Sequence, residues 1–384
     1  MQVTKVKLKN WRNFRNFEVP FRDVSYILGP NASGKSNLLD VFRFLRDVSK
    51  PAGGGLQAAV IARGGISKLR CLHARQDPEV CIDVELSDSP DDKIPKWRYV
   101  LGFKPEGKGA QRILVSKEEV WHEGKQLFSR PDKSDDKDSV LLTQTRLEQI
   151  AANVKFRELA EFFGSITYLH LVPQLLKFAD QLGGRPLEND PFGQSFLERI
   201  AKTTERVRAA RLKKISEALT LAVPQFKELR FIKDDSGRPH LEALYSHHRP
   251  NAGWQSEEHF SDGTLRLLGL LWALLDGSSM LLLEEPEISL NDAVVKEIPL
   301  IIQRLQRSRK PKRQVVISTH SEALLSNPGI DGRGVILLEA TADGSTGRTL
   351  QKDEASALEA GLSVAEVVLP KTRPSSVNQL GLWE

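Results

Sequence analysis

Eight residues constrain this chain more than any others: Gly29-Pro30-Asn31-Ala32-Ser33-Gly34-Lys35-Ser36. They fit G-x-x-x-x-G-K-[ST] at every fixed position. The apolar stretch Val24 to Leu28 reads as a strand entering them, and an apolar-periodic helix from about Lys35 to Val48 leaves them. Strand, glycine loop and helix are the context a phosphate-binding loop requires, and they commit the chain to an α/β fold. Glycines let backbone N–H groups turn inward around phosphates. The helix adds its positive N-terminal end. Lys35 supplies a point charge to the β- and γ-phosphates, and the Ser36 hydroxyl ligates Mg²⁺.

The rest of the chain is read around that loop. Strands are expected at Val3 to Leu8, Phe17 to Phe21, 69–74, 80–86 and 97–103. Residues 104–145 are polar and broken, and Asp132 to Asp138 reads as an exposed loop. Helices are expected over 146–163 and 192–222, with a strand at Ile166 to Val172 between them. The α/β pattern then returns, with strands at 228–233, 241–245, Met280 to Leu283, Val315 to Ser318 and Val335 to Glu339. Helices are expected from about Thr264 to Leu275 and 292–306. The expected organisation is an N-terminal lobe over 1–103, an inserted and largely helical subdomain over 104–230, a C-terminal lobe over 231–345, and a C-terminal helix and tail over 346–384. No internal repeat or useful run of heptads is visible.

Three further motifs carry chemistry. Met280-Leu281-Leu282-Leu283-Glu284-Glu285-Pro286-Glu287 is an apolar strand running into carboxylates. Adjacent residues at a strand end point to different sides. Glu284 can therefore serve magnesium while Glu285 orients or deprotonates water, the two functions a phosphate site needs besides its loop. Phe260-Ser261-Asp262-Gly263-Thr264 precedes an apolar helix. Ser261 or Asp262 reads as an ordinary N-cap, and also, with Gly263, as a second phosphate site at a helix N-terminus. A chain with its own phosphate loop has no obvious use for a second, unless two chains share nucleotides, which points to a dimer. Val315-Val316-Ile317-Ser318-Thr319-His320 places a histidine just past a buried strand, where it is either structural or a γ-phosphate sensor.

These motifs, in this order, resemble the RecF/SMC-type ATPases of the ABC superfamily. LKNWRNFRNFEV…ILGPNASGKSNLLDVFRFL resembles the family's opening, FSDGTLRLL its signature, LLLEEPEISL its Walker B and D-loop, and VVISTHS its switch histidine. The EEPE variant resembles the overcoming-lysogenization-defect (OLD) group and its stand-alone ATPases. The resemblance implies an ABC-type ATPase head, a P-loop NTPase sheet in two lobes, with no long coiled coil. It implies ATP and Mg²⁺ as ligands. Gly29, Asn31, Gly34, Lys35, Ser36 and Asn37 of one chain would bind ATP together with Ser261 and Gly263 of a second. Ser36, Glu284 and a Q-loop glutamine at Gln174 would serve the metal, and Glu285 and His320 the chemistry. Ser289, Leu290 and Asn291 would form the loop crossing the dimer axis. Hydrolysis would separate the heads.

The chain departs from its larger relatives in having no room for a long arm. Only 64 residues follow His320, without an Asp-x-Asp pair, so no TOPRIM nuclease is expected and any cutting falls to a partner. Two segments are basic, Arg304 to Arg313 and Lys202 to Lys214. Each reads as a solvated surface or as a contact to a phosphate backbone. His247-His248 lacks nearby ligands for a metal site. The 55 Lys and Arg against 50 Asp and Glu permit nucleic-acid binding without arguing for it. Two cysteines exclude a disulfide framework. No apolar run approaches a membrane span and no signal core opens the chain, so a cytoplasmic protein is expected.

The leading expectation is an ATP-hydrolysing head that dimerises on ATP and acts on DNA, in repair or anti-phage defence, directly or through a nuclease or toxin partner. The alternatives are a nucleotide-switched scaffold with slow turnover holding an effector, the motor of an ABC transporter, which would need a fuller LSGGQ, and a small-molecule kinase.

Overall fold

The structure, a computed structural model, describes residues 1–74, 76–107, 112–178, 192–246, 253–307 and 312–372. The pair His247-His248, the middle of the basic run at Ser308 to Pro311, and the tail from Arg373 lie outside them. The chain forms two compact units. One comprises 1–166, 313–320 and 330–384; the other comprises 167–312 and 321–329.

The first unit holds a six-stranded antiparallel sheet. Its order is Phe14–Pro20, Gln2–Trp11, Val80–Ser87, Trp97–Pro105, Ile113–His122, Lys125–Arg130. Period-two alternation builds it: Val6 and Leu8 are buried while Lys5 and Lys7 pair with Glu18 at the surface. The same unit carries a parallel group centred on Val24–Leu28. That strand pairs with Val315–Ser318 on one side and Val335–Thr341 on the other, and the latter turns back through Gly344–Thr349. The helix Lys35–Ser49 buries Leu38, Leu39, Val41, Phe42, Phe44, Leu45 and Val48. Its phenylalanines meet the antiparallel sheet: Phe44 lies 5.2 Å from Trp11 and 5.3 Å from Phe103, and Phe42 lies 5.4 Å from Phe21, between ring centres. A helix buried on so many sides is a core element, not a surface one.

The second unit pairs Thr167–Leu169 with Leu281–Glu284 in parallel and contains a three-stranded antiparallel sheet, Gln255–Ser256, Pro239–Tyr245, Phe226–Lys233. The helix Asp262–Leu275 buries Leu265, Leu267, Leu268, Leu270, Leu271, Trp272 and Leu274 and is the unit's apolar axis. Glu205–Ala222 packs on it through Leu212, Ile215 and Leu219. At 18 residues it is the longest helix among the described residues, so no long coiled coil is present there. None of the described helices is long and apolar enough to cross a membrane.

Several expected elements differ. Residues 104–145 were expected to be broken, yet Ile113–His122 and Lys125–Arg130 form a hairpin that extends the N-terminal sheet. Its turn uses Glu123 and Gly124, both left-handed, at φ +47° and +78°. Asp132 to Asp138 is not a loop either. Asp132 caps the short helix Lys133–Lys137 in a capping box, and Asp135 is buried against Arg130. No strand forms at 69–74: the helix Ile66–Leu69 ends there, Arg70 bridges to Trp11, and the residues after it form a turn. The expected helix over 146–163 shortens to Arg157–Gly164, and the one over 192–222 breaks at Thr203-Thr204. The compact units divide after Ile166, so 104–166 group with the N-terminal residues.

The C-terminal helices of the first unit, Lys352–Glu359 and Val364–Thr372, are tied down by Glu354, which is 1% exposed. It receives hydrogen bonds from Arg348 at 2.7 and 3.1 Å, Lys371 at 2.8 Å and the Gln351 N–H at 2.7 Å. The Arg348 bonds, with Lys371, hold its carboxyl at about 2, below the ordinary 4.5. A depressed folded-state pKa contributes stability that is complete above the unfolded value and is lost as pH falls through the folded one. Glu354→Gln should therefore cost about 3 kcal/mol at neutral pH. The penalty should fade between pH 4.5 and 2, as thermal melts of the two proteins across that window would show.

Candidate nucleotide-binding site

The buried strand Val24–Leu28 delivers the chain into the loop, and geometry there explains both fixed glycines. A Cβ on Gly29 would sit 2.6 Å from Ser33 Oγ and 2.7 Å from the Leu338 carbonyl oxygen. Gly34 is left-handed, at φ +105°, and a Cβ there would overlap the Asn13 carboxamide. Ala32 is left-handed as well, at φ +65°. Left-handed residues interspersed in a tight loop are the backbone of anion-cradling nests. Lys35 is buried, and its Nζ donates to the carbonyls of Gly29 at 2.9 Å and Pro30 at 3.3 Å, across the loop it closes. Ser36 and Asn31 are exposed. The helix starts without a capping side-chain hydrogen bond or an acidic residue in its first turn, and its N-terminal N–H groups and dipole face the loop. Ser33 Oγ is buried and has no hydrogen-bond partner among the described residues. An orphaned hydroxyl inside such a loop fits a site made for a polar ligand.

The helix is anchored on its flank by Asp40. Arg12 donates to it at 2.7 Å and Arg63 at 3.0 Å. Burial alone would raise this carboxyl, but the guanidinium charges of Arg63 and Arg12 hold it below the usual range. Asn37 is engaged elsewhere: its Nδ2 donates to Asn13 Oδ1 at 2.7 Å, and its carbonyl accepts from Trp11 Nε1 at 2.9 Å. Asn13 itself was not singled out from the sequence. The sequence shows only an asparagine between two apolar stretches, within LKNWRNFRNFEV; the turn it occupies, beside left-handed Arg12, is visible in the structure alone. His320 is exposed, two residues past the strand Val315–Ser318, and the Thr319 N–H before it donates to the Ile27 carbonyl at 3.2 Å.

In the second unit, Leu281–Glu284 ends in half-buried Glu284 and Glu285. Tyr168 Oη donates to Glu284 Oε2 at 2.5 Å from the neighbouring strand. Glu285 is left-handed, at φ +44°. A non-glycine residue in that region stores strain, and such strain concentrates at functional sites. Ser289 is left-handed too, at φ +64°, and its carbonyl oxygen lies 2.6 Å from where a Gly263 Cβ would be, so this loop and Gly263 touch backbone to backbone. Ser261 caps the helix Asp262–Leu275, its Oγ accepting from the Thr264 N–H at 3.1 Å. Lys177 Nζ and Gln174 Nε2 both donate to Asp262, at 2.8 and 2.7 Å, and lower its pKa, Lys177 most. Gln174 is thereby brought to the signature motif. One turn into the helix, the half-buried Arg266 is pushed down by burial while the charges of Asp262 and Glu285 oppose that shift.

Strand, phosphate loop and core helix within an α/β fold define a P-loop nucleotide-binding protein, here of RecF/SMC-like architecture. Residues 24–326 match the family model described as "AAA domain, putative AbiEii toxin, Type IV TA system". The chain belongs to that family. Among curated proteins it is similar to the DNA replication and repair protein RecF of Bacillus mycoides (strain KBAB4), 44% identical over 46 residues. That match spans 12% of each chain. Among solved structures it is similar to an Smc head bound to the C-winged helix domain of ScpA, with a TM-score of 0.55, 17% identity, and 93% of this chain and 100% of that one covered. It is also similar to the Smc head with an extended coiled coil, bound to the C-terminal domain of ScpA, from Pyrococcus furiosus. There the TM-score is 0.51 and the identity 17%, over 93% of this chain and 98% of that one. At these identities the likeness is one of fold.

Proposed function

We propose that this chain binds and hydrolyses ATP, and that two copies close around the nucleotide to act on DNA, directly or through a separate nuclease or other effector protein. The phosphate loop carries this reading: two glycines that tolerate no side chain, a buried lysine closing the loop, and an uncapped helix N-terminus behind it. In this reading Gly29, Asn31, Gly34, Lys35 and Ser36 hold the phosphates, while Ser261 and Gly263 of a second copy complete the site. Ser36 and Glu284 offer hard oxygen donors, the type Mg²⁺ takes. When bound, that ion neutralises charge on the β- and γ-phosphates. Glu285 orients or deprotonates the attacking water, and His320 senses the γ-phosphate.

Support for DNA comes from the RecF relative's name and from Lys202, Arg206, Lys213 and Lys214, all exposed on or beside the helix Glu205–Ala222. The Smc heads solved with ScpA support a protein partner. The family description, which names a toxin and a toxin–antitoxin system, supports a defence role beside repair.

The test is ATP turnover by the purified protein, with and without double-stranded DNA, beside its mass in solution. Double-stranded DNA should stimulate hydrolysis. Glu285→Gln should lower turnover by roughly 100-fold or more, as loss of a general base does, and trap an ATP-dependent dimer. Turnover that ignores both DNA and the Glu285 change, from an oligomer already present without ATP, would replace this reading with the effector-holding scaffold.

A further inference from the structure

Asn13 lies in the turn between Gln2–Trp11 and Phe14–Pro20, outside every motif that defines the phosphate site, yet its bonds converge on that site. One carboxamide nitrogen donates both to the Ser33 carbonyl, at 3.0 Å, and to Ser345 Oγ, at 2.7 Å. Its oxygen accepts from Asn37 Nδ2 at 2.7 Å. Its own backbone carbonyl accepts from the Ser345 N–H at 2.7 Å. The carboxamide occupies the space a Gly34 side chain would need, and Gly344 comes so close that a Cβ there would stand 2.5 Å from the Asn13 carbonyl oxygen. Two glycines far apart in the sequence, Gly34 and Gly344, thus make room for one asparagine.

We infer that Asn13 is the positioning residue of the phosphate loop, a clasp that fastens its Ser33–Gly34 peptide and the first helical turn to the hairpin Val335–Thr341 and Gly344–Thr349. This rests on the nucleotide reading above. Chemistry supports the choice of side chain. Ser33 lends its carbonyl to Asn13 while its hydroxyl has no partner among the described residues, so the clasp holds the peptide and leaves the side chain to a ligand. The carboxamide carries a donor and an acceptor on one planar group and so satisfies Ser33 and Asn37 together. The hairpin is in turn fixed to the C-terminal helices through Arg348 and Glu354. The clasp therefore connects loop geometry to that end of the first unit.

The test uses the full chain as Asn13→Ala, Asn13→Asp and Ser345→Ala, with two readouts. The first is hydrogen exchange of the amides from Gly29 to Leu38 without nucleotide. The second is affinity for a fluorescent ATP analogue, with Lys35→Ala as the reference for loss of the site. Asn13→Ala should speed exchange across the loop at least tenfold and weaken the analogue about tenfold, with melting temperature little changed. Asn13→Asp should weaken binding further than Asn13→Ala, because it loses the donor to Ser33 and places a negative charge beside the phosphates. A merely structural role would make binding follow melting temperature and erase that order. Ser345→Ala should have a smaller effect in the same direction. Unchanged exchange in Asn13→Ala overturns the clasp whatever binds. Faster exchange in a protein whose analogue binding is indifferent to Lys35→Ala sustains the clasp and overturns the nucleotide reading instead.

Discussion

Lys35→Ala should weaken ATP about 100-fold, roughly 2.7 kcal/mol, and leave the fold intact. The argument starts from the ammonium's surroundings. It is buried and faces the carbonyls of Gly29 and Pro30, dipoles that compensate part of its desolvation. Removing a buried charge from such neighbours costs the folded chain little, and the relief of desolvation offsets the lost bonds. A triphosphate, by contrast, meets the lysine as a charge-assisted pair, worth more than a neutral bond and made only with ligand. Affinity and stability should therefore separate. Lys35→Arg should not rescue, since a planar guanidinium cannot fold back into a loop sized for an ammonium. Titration with a fluorescent ATP analogue beside a thermal melt decides it. Affinity within threefold of the unmodified protein would remove Lys35 from the site.

What could be read in advance follows from how local each signal was. The phosphate loop is eight consecutive residues flanked by a strand and a helix, and Val24–Leu28 and Lys35–Ser49 lie where the apolar pattern puts them. The strands Leu281–Glu284 and Val315–Ser318, apolar up to their last residue, were equally legible, because burial on both faces leaves no polar alternation to misread. Asn13 was not legible. Its partners Ser33 and Ser345 lie 20 and 332 residues away, and nothing along the chain marks those contacts. The same holds for Lys177 and Gln174 on Asp262, which are 85 and 88 residues apart from it. The strain at Glu285 leaves no mark in composition either.

The stretch from 104 to 145 shows the complementary failure. Ile113–His122 alternates buried and half-buried positions, the buried phase slips by one residue at its centre, and the positions there are polar: Glu118 is fully buried, and half-buried Ser116 donates to Glu79. Charges at core positions make a strand look like a loop. What licenses them is pairing across the fold, which a reading along the chain does not see.

That pairing predicts the largest stability effect in the protein. Arg130 and Glu118 are both fully buried, and Asp135 is 2% exposed. Arg130 donates through Nε to Asp135 at 3.1 Å and through its terminal nitrogens to the carbonyls of Gln144 at 2.8 Å and Leu141 at 3.0 Å. Glu118 stands 3.6 Å from it and accepts from Tyr99 Oη at 3.0 Å and from the N–H groups of Arg146 and Leu147 at 2.9 and 3.1 Å. Burial raises the Glu118 pKa, and the Arg130 charge and these donors counter it. One guanidinium thus holds two carboxylates and a length of irregular backbone that buries its polar groups. Arg130→Met keeps most of the volume and removes every bond that Arg130 makes, leaving two buried acids without their cation. The cost should be about 3 to 5 kcal/mol, the range for breaking a buried pair from one side. Adding Glu118→Gln and Asp135→Asn to the same protein should recover a substantial part, because the uncompensated charges are then gone. Denaturant melts of the single and triple variants measure both quantities. A single variant within 1 kcal/mol of the unmodified protein, or a triple variant worse than the single one, would mean that Arg130 serves as packing and not as the ion that lets this segment enter the core.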